Sequence, residues 1–250
     1  MAMPKDEMTP ELTFPPLFQG EALTGAADPF AKACTQALLG CDAGTVIYNI
    51  TPDALKAAII FAPERPMTEA LPVLIACEVG FQNALGALAP PEVSVHFRWD
   101  GEILVNNARC GRMRMAAAEV AKGADLDWVV IGLELPLLPP DPETPGLTPD
   151  QTCLFEEGCA DLDPGLLLEA WTRHTLVWIN RWSDEGLRPL STEWRGLVDK
   201  MGEPVEMTLA GQSYSGTFMG IDESFGMLLR QGDDTQLLPL SLLLEQGGER

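Results

Sequence analysis

The pattern of apolar and polar positions over residues 93–115 predicts three consecutive strands. Apolar side chains alternate with polar ones over residues 93–99, and a period of two residues is typical of a half-buried strand. Asp100-Gly101 can supply the positive φ angles that a tight hairpin turn needs. A second strand is predicted from Glu102 to Val105, and a third from Arg109 to Met115. We expect the rest of the chain to be organised around this double hairpin.

Three stretches predict helices. Asp28-Pro29 has the residue types of an N-cap and a first helical position, and we expect this helix to end at Gly40. Residues 67–88 are apolar nearly all round, which predicts a long helix buried against a sheet, with a break or kink near Gly80. Asp163-Pro164 repeats the start signal and is followed by an apolar stripe at helical spacing.

Apolar and β-branched runs predict the remaining strands of the sheet. They are residues 45–50, 57–61 and 127–135, with a proline-containing edge strand at Leu12–Phe18. Met1–Pro10 predicts a flexible start, and Pro136–Pro149, rich in proline and acidic residues, predicts a solvated loop. After a boundary near Lys200, several short strands separated by tight turns predict a small barrel.

These elements together predict an α+β protein. We expect a mixed sheet of roughly five to seven strands with helices packed mainly on one face, followed by the small barrel. The predicted domains are residues 1–199 and 200–250. The helix that begins at Asp163 is expected to bridge them, and a binding site is expected where the strand of Arg109 meets the strand Thr45–Ile50.

The charge of the chain argues against two classes of partner. The net charge of the 250 residues is −21, whereas nucleic acids and anionic membrane surfaces attract cationic patches, so neither is expected. No signal peptide and no membrane-spanning helix is expected, which predicts a cytoplasmic protein. Only 16 residues are Lys or Arg, yet Arg109, Arg112 and Arg114 fall within one predicted strand.

The six cysteines do not form a metal-binding pattern. None belongs to a Cys-x-x-Cys pair, and neither His96 nor His174 is next to a cysteine, so no metal site is predicted. The thiols are expected to be reduced and to pack as small apolar side chains. His174 lies on the apolar stripe of its helix and is interpreted as a packing residue.

Several local strings resemble one known family. Trp99-Asp100-Gly101-Glu102 stands where that family carries Trp-Pro-Asn-Asp, and Arg109 stands ten residues after Trp99, at the place of the family's catalytic lysine. Gly111 falls in the family's small-residue stretch, and Val130-Ile131-Gly132-Leu133 is similar to its glycine-containing apolar strand. On these residues the chain resembles the bacterial biotin protein ligases, within the wider biotin/lipoate ligase superfamily.

The resemblance continues into the last third of the chain. Gly186-Leu187-Arg188-Pro189, followed by Trp194-Arg195, is similar to the family's linker. Gly220-Ile221-Asp222 and Gly226-Met227-Leu228-Leu229 are similar to strings in the family's C-terminal SH3-like domain. The fold that this implies is that of class II synthetases and biotin ligases, with a small SH3-like β-barrel.

The resemblance also implies an activity and a set of site residues. The family uses ATP to join biotin, or a lipoate-like acid, to a lysine of a carrier protein (a biotinyl or lipoyl domain) through an acyl-adenylate. Arg109 would stabilise the adenylate, and Glu102, at the place of the family's aspartate, would contact Mg²⁺ or the nucleotide. The residues implied to bind the ligands are Thr45, Trp99, Gly111, Arg112 and Gly132.

Two departures from the family bear on this activity. The family's Gly- and Arg-rich phosphate loop belongs between Gly44 and Ala57, where this chain has no glycine and a single cation, Lys56. Arg109 keeps the positive charge of the family's lysine, but it is bulkier and cannot give up a proton. An acyl-cysteine mechanism at Cys110, as in transferases of the superfamily, has no obvious base nearby in the sequence.

Three hypotheses follow. The first is an ATP-dependent biotin or lipoate ligase. The second is a protein that has lost adenylation and binds or senses a small carboxylic acid, with Arg109 as the carboxylate anchor. The third is a structural protein with a vestigial pocket, in which the arginines of the third strand pair with local carboxylates.

Overall fold

The structure is a computed structural model that describes residues 12–121, 123–139 and 150–245. The predicted flexible start, Met1–Pro10, lies outside the described residues, and so does most of the predicted Pro136–Pro149 loop.

A seven-stranded mixed sheet forms the centre of the fold. Its strands are β1 (Gln19–Ala22), β2 (Thr45–Ile50), β3 (Ala54–Phe61), β5 (Val95–Phe97), β6 (Glu102–Val105), β7 (Ala108–Ala117) and β9 (Val129–Pro136). Their order in the sheet is β1-β2-β3-β9-β7-β6-β5. β1 runs parallel to β2, and every other neighbouring pair in this sheet is antiparallel. A second, two-stranded sheet is formed by β4 (Arg65–Pro66) and β8 (Asp125–Leu126).

The predicted double hairpin is confirmed as β5, β6 and β7, but its neighbour in the sheet is not the one predicted. β7 pairs with β9, and β3 and β9 separate it from β2. β9 can occupy this inner place because almost all of its side chains are buried, on both faces of the sheet. The prediction that a site opens where the strand of Arg109 meets Thr45–Ile50 is therefore wrong.

The edge strand is also displaced from its prediction. Leu12–Phe18 is not a strand; the edge is β1, which begins one residue later, at Gln19. Pro15 and Pro16 have no backbone N–H to donate to a ladder, so the strand can begin only after them.

Helices cover both faces of the sheet unequally. The helices are α1 (Pro29–Leu38), α2 (Met67–Ala70), α3 (Val73–Leu88), α4 (Pro164–Glu185) and α5 (Arg188–Leu197). Of the helices in the described part of the chain, α1 is the one that packs on one face, where Phe30 and Ala33 contact buried side chains of the inner strands. α3 lies on the other face beneath α4, and the main core is between α3 and the sheet. Asp28 and Asp163 cap the first turns of α1 and α4, as predicted.

The helical stretch 67–88 is interrupted at Leu71-Pro72 rather than near Gly80. Pro72 lacks the N–H that would continue the helix from α2 into α3. Gly80 lies within regular helix, where α4 crosses closest: a Cβ there would lie 2.8 Å from the backbone nitrogen of Thr175. By length and composition residues 67–88 could cross a membrane. However, 72% of the apolar stretch within these residues is buried inside this fold, as in the core helix of a soluble protein.

A four-stranded antiparallel sheet follows, as expected of an SH3-like domain. Its strands are β10 (Pro204–Leu209), β11 (Gln212–Ile221), β12 (Met227–Gln231) and β13 (Asp234–Leu238), and a 3₁₀ helix follows at Leu240–Leu243. The indole N–H of Trp99 donates to the carbonyl of Phe225 (2.8 Å), and the Trp194 ring meets the Phe225 ring edge-on. The bridge thus runs through α5, whereas α4, which sequence reasoning proposed for it, packs on α3 and α5.

Candidate functional site

A β-bulge places the three arginines of β7 on one face of the sheet. Residues at 109, 112 and 114 do not have the spacing of a regular strand, because 109 and 112 are separated by an odd number of positions. The register between β6 and β7 shifts at Ile103/Leu104, where Gly111 and Arg109 are consecutive partners and Cys110 is the extra residue. Cys110 therefore faces the core, and the arginines face the side on which α1 lies.

The arginines form a row of ion pairs with carboxylates of neighbouring strands. Glu102 accepts from Arg98 (2.6 Å) and from Arg109 (3.3 Å). Glu134 on β9 accepts from Arg112 (2.8 Å) and from Arg114 (3.0 Å). Cations and carboxylates thus alternate across β6, β7 and β9, and the two glutamates hold the guanidinium groups in place.

The charges of this row shift the pKa values of two of its members, Glu134 and Arg114, so as to favour their ionised forms. Burial alone would raise the pKa of Glu134, but the hydrogen bond from Arg112 and the charges of Arg112 and Arg114 outweigh it and lower the pKa. The hydrogen bond to Glu245 raises the pKa of Arg114, against the effect of burial. Both groups are therefore ionised near neutral pH.

The three arginines differ in how far a ligand can reach them. The side chain of Arg112 is 52% exposed, that of Arg109 is 35% exposed, and that of Arg114 is 17% exposed. Arg109 lies beside Asp150, and the Asp150 carboxylate is 3.6 Å from the Arg109 guanidinium. Arg109 and Arg112 are thus the two cations of β7 that an anion in solution can contact.

The place where the family carries its phosphate loop is a tight turn in this chain. Only Thr51, Pro52 and Asp53 connect β2 to β3. The backbone N–H and the hydroxyl of Thr51 both donate to the carbonyl of Ala54 (2.9 and 3.2 Å), and the carbonyl of Asp53 accepts from Leu137. The donors of Thr51 are thus used within the turn and Pro52 has no backbone N–H, so the described residues here do not form the cluster of donors that a triphosphate needs.

The described residues also do not fit a magnesium ion at Glu102. Both oxygens of Glu102 are occupied by arginine side chains. Within residues 12–121, 123–139 and 150–245 there is no group of three or more His, Cys, Asp or Glu side chains that could hold a metal ion.

Cys110 does not have the properties of a nucleophile. It is fully buried, and burial, together with the neighbouring Cys153 and Glu157, raises the pKa of its thiol far above the usual value. An acyl-cysteine mechanism therefore has no support in this structure.

The structure brings some of the predicted site residues together and separates others. Glu102, Arg109, Gly111 and Arg112 are neighbours on β6 and β7, and Gly132 is paired with Arg114 beneath the ring of Phe30. Their roles toward a ligand stay predictions.

Two predicted residues lie elsewhere. The indole of Trp99 is 3% exposed and faces the C-terminal sheet. Thr45 is at the start of β2, where its hydroxyl donates to the carbonyl of Asp42 (2.8 Å). Since β3 and β9 lie between β2 and β7, the structure does not place Thr45 beside the arginines.

Sequence reasoning missed Glu134, Asp28 and Glu245, which pair with the arginines. Glu134 had a visible signal, because it is the one charged residue in the otherwise apolar run Val129–Leu135. The sequence predicts Asp28 only as a helix cap, whereas its carboxylate also lies 3.3 Å from the guanidinium of Arg114. No feature of the sequence indicates a role for Glu245, since the residue pattern does not show that Leu244 and Glu245 return to β7.

Comparison with known proteins agrees with this fold. Residues 14–196 match the model of a family described as the biotin/lipoate A/B protein ligase family, and residues 201–246 match a domain of unknown function (DUF4444). The biotin–[acetyl-CoA-carboxylase] ligase of Paracoccus denitrificans is 23% identical over 182 residues, which are 72% of this chain and 75% of that protein.

Two solved structures are similar over most of their length. A biotin protein ligase-like protein of unknown function from Silicibacter sp. TM1040 is 52% identical, with a TM-score of 0.86, covering 94% of this chain and 100% of that one. Biotin protein ligase from Aquifex aeolicus, in complex with biotin and ATP, is 13% identical, with a TM-score of 0.69, covering 88% of this chain and 94% of that one. At this identity the second likeness shows the fold alone.

Proposed function

We propose that this chain, which belongs to the biotin/lipoate A/B protein ligase family, binds a biotin-like small carboxylic acid without activating it with ATP. The observation that carries the proposal is the three-residue connection between β2 and β3. Activation of an acid by ATP brings two anions together and builds negative charge at phosphorus, which requires donors around the phosphates. Thr51 uses both of its donors within the turn and Pro52 has no backbone N–H, so this connection has no cluster of donors like that of a glycine-rich loop.

The acid is proposed to contact Arg109 and Arg112. Both guanidinium groups are partly exposed on the same face of β7, and arginine can bind a carboxylate through two parallel hydrogen bonds. Glu102 and Glu134 would act as positioning residues, since each holds one of these arginines. The alternation of charges means that the site attracts an anion only at short range, which is consistent with a chain of net charge −21.

The alternative is the activity of the family, attachment of biotin or a lipoate-like acid to a carrier protein with ATP and Mg²⁺. The match to a biotin–[acetyl-CoA-carboxylase] ligase over 72% of this chain favours it. Under this alternative Arg109 stabilises the acyl-adenylate, and the carrier is a biotinyl or lipoyl domain.

Thermal unfolding distinguishes these functions. We expect biotin, lipoate or octanoate alone to raise the melting temperature, because a ligand of the folded state stabilises it by about 2.7 kcal/mol at one hundred times its Kd. For a chain of this size the shift is about 5–10 °C. ATP with Mg²⁺ is expected to add nothing to this shift.

Two variants locate the acid. Arg112→Gln is expected to weaken binding of the effective acid about tenfold or more, because a charged hydrogen-bonding partner is lost. Arg181→Gln is the matched control, since Arg181 is similarly exposed (46%) and paired with one glutamate on α4. A shift that grows when ATP and Mg²⁺ are added would establish the ligase alternative, and no shift with any acid would refute acid binding.

A further inference from the structure

The last described residues return from the small sheet to β7, an inner strand of the large one. β6 pairs with β7 only as far as Arg112, and the backbone N–H of Met113 donates to the carbonyl of Gly101 (2.7 Å), so β6 does not cover the edge of β7 beyond Met113. Leu244 forms a parallel bridge with Met115 on this edge, and the backbone N–H of Glu245 donates to the carbonyl of Met115 (2.8 Å). We call residues 240–245 the C-terminal strap.

The strap brings a carboxylate onto Arg114. Nε of Arg114 donates to Oε1 of Glu245 (2.8 Å), and Nη2 donates to Oε2 (2.6 Å). These two parallel bonds are the geometry in which arginine binds a carboxylic acid. The other side of the guanidinium is held by the ring of Phe30, whose centroid lies 4.2 Å from Cζ. The arginine is thereby fixed in a binding-competent orientation.

The strap also limits the space beside the arginines. A gap of about 80 Å³ lies between β7, the Asp100-Gly101 turn and the strap, and Leu243 and Glu245 form part of its wall. Sites that enclose small organic ligands have volumes of about 300 Å³ or more. The gap can accept an acid of the size of biotin only when the end of the strap, Leu243 to Glu245, moves away, while Leu240 stays buried in the core.

Release of the strap does not leave Arg114 without a partner. Glu134 (3.0 Å) and Asp28 (3.3 Å) also contact its guanidinium, so the positive charge stays paired. An arginine left buried and unpaired would oppose release strongly, and this arrangement avoids that penalty. Glu245 is 38% exposed and becomes hydrated when it leaves.

We infer that Arg114 is a carboxylate-binding residue, and that Glu245 occupies it as an internal ligand that an external acid must displace. The inference rests on the proposed function in that the external acid is the one bound by Arg109 and Arg112. Arg114 would be the third arginine of the site formed by Arg109 and Arg112. The strap would be an autoinhibitory segment, because Glu245 competes with the acid.

Chemical rescue with acetate tests this inference independently of the natural ligand. Glu245→Ala removes a fragment that acetate replaces, so acetate is expected to raise the melting temperature of this variant by a few °C more than that of the unchanged protein. Sodium chloride at the same pH and ionic strength gives the baseline. The control is Glu185→Ala, which removes the carboxylate of an exposed pair on α4.

Binding of biotin, lipoate and octanoate is measured on the same proteins. Removal of the internal competitor in Glu245→Ala is expected to tighten binding of the effective acid about tenfold. Glu245→Gln, which keeps the shape of the side chain, is expected to tighten it less. Equal responses of all variants to acetate would overturn the inference, leaving Glu245–Arg114 a structural ion pair.

The two proposals can fail separately. Acetate rescue without a response to any of the three acids would support the carboxylate site at Arg114 and refute the proposed function. An acid that binds the unchanged protein and Glu245→Ala equally, without acetate rescue, would support the proposed function and refute the role of the strap.

Discussion

Substitution of Glu78 by glutamine is expected to reduce the dependence of folding stability on pH between about pH 5 and pH 8. Glu78 lies on α3, is 1% exposed, and accepts a hydrogen bond from Nε1 of Trp194 (2.6 Å). Burial raises the pKa of its carboxyl from 4.5 to about 8; the hydrogen bond from Trp194 opposes this rise, and the charge of Asp100 adds to it. The folded protein therefore keeps Glu78 protonated at neutral pH.

Stability should fall as the pH rises. Between the pKa of 4.5 in the unfolded chain and the pKa of about 8 in the folded protein, only the folded state binds this proton. Below this window both states are protonated, and above it both are ionised, so the group then has no further effect. Since one pKa unit corresponds to about 1.4 kcal/mol, the full window corresponds to roughly 5 kcal/mol, of which about 3 kcal/mol falls between pH 5 and pH 8.

Urea unfolding over a series of pH values measures this effect. The difference in unfolding free energy between the unchanged protein and Glu78→Gln should shift by about 3 kcal/mol in favour of the variant as the pH rises. Glu185→Gln, at the exposed end of α4, is the control and should give a curve parallel to that of the unchanged protein. A parallel curve for Glu78→Gln as well would contradict the prediction. The effect matters for the fold because Trp194 joins Glu78 to the C-terminal sheet at Phe225.

Substitution of Gly111 by alanine is expected to destabilise the protein by on the order of 3 kcal/mol, whether or not a ligand is present. The φ angle of Gly111 is +142°, a region that side chains rarely adopt, and a Cβ would overlap the carbonyl oxygen of Glu134. This carbonyl belongs to β9 and cannot move without disturbing the centre of the sheet. The resemblance to the ligase family implies a ligand contact for Gly111, whereas the geometry gives it a structural role in the bulge.

Gly220 provides a matched control for this substitution. Its φ angle is +149°, close to that of Gly111, but a Cβ there has no neighbouring atom within 4 Å. Gly220→Ala should therefore lose only the conformational part, about 1–2 kcal/mol. Equal losses in both variants would show that the contact with Glu134 is not what requires glycine at 111. Normal stability of Gly111→Ala with weakened acid binding would instead identify Gly111 as a ligand contact.

The missing phosphate loop and the paired arginines both bear on whether this chain binds a small carboxylic acid. A chain of this family that lacks the glycine-rich phosphate loop can still recognise an acid, because carboxylate recognition needs only a positioned arginine. The third hypothesis from the sequence, a vestigial pocket whose arginines pair with local carboxylates, describes the ion pairs that the structure contains. Titration with biotin, lipoate and octanoate distinguishes the two cases. A site that the strap covers binds one of these acids, whereas a vestigial pocket binds none.

Local patterns were sufficient for much of the fold. The strand period over residues 93–99, the turn residues Asp100-Gly101 and the cap signals at Asp28 and Asp163 depend on near neighbours, and the structure has these elements. The α+β class, the mixed sheet and the small C-terminal sheet followed from them. The prediction of two domains, 1–199 and 200–250, stays a prediction.

The order of residues alone therefore indicates the helices and strands, the lack of a glycine-rich loop before Lys56 and the concentration of arginines at 109–114. Long-range packing establishes which strands are neighbours, places the arginines on one face and brings their carboxylate partners to them. The bulge at Cys110 depends on the pairing of β6 with β7, and the contact of Glu245 with Arg114 joins residues that are 131 positions apart. Pairing over such distances depends on the order of the strands in the sheet and on where the chain returns to it. A local pattern of residues does not predict either.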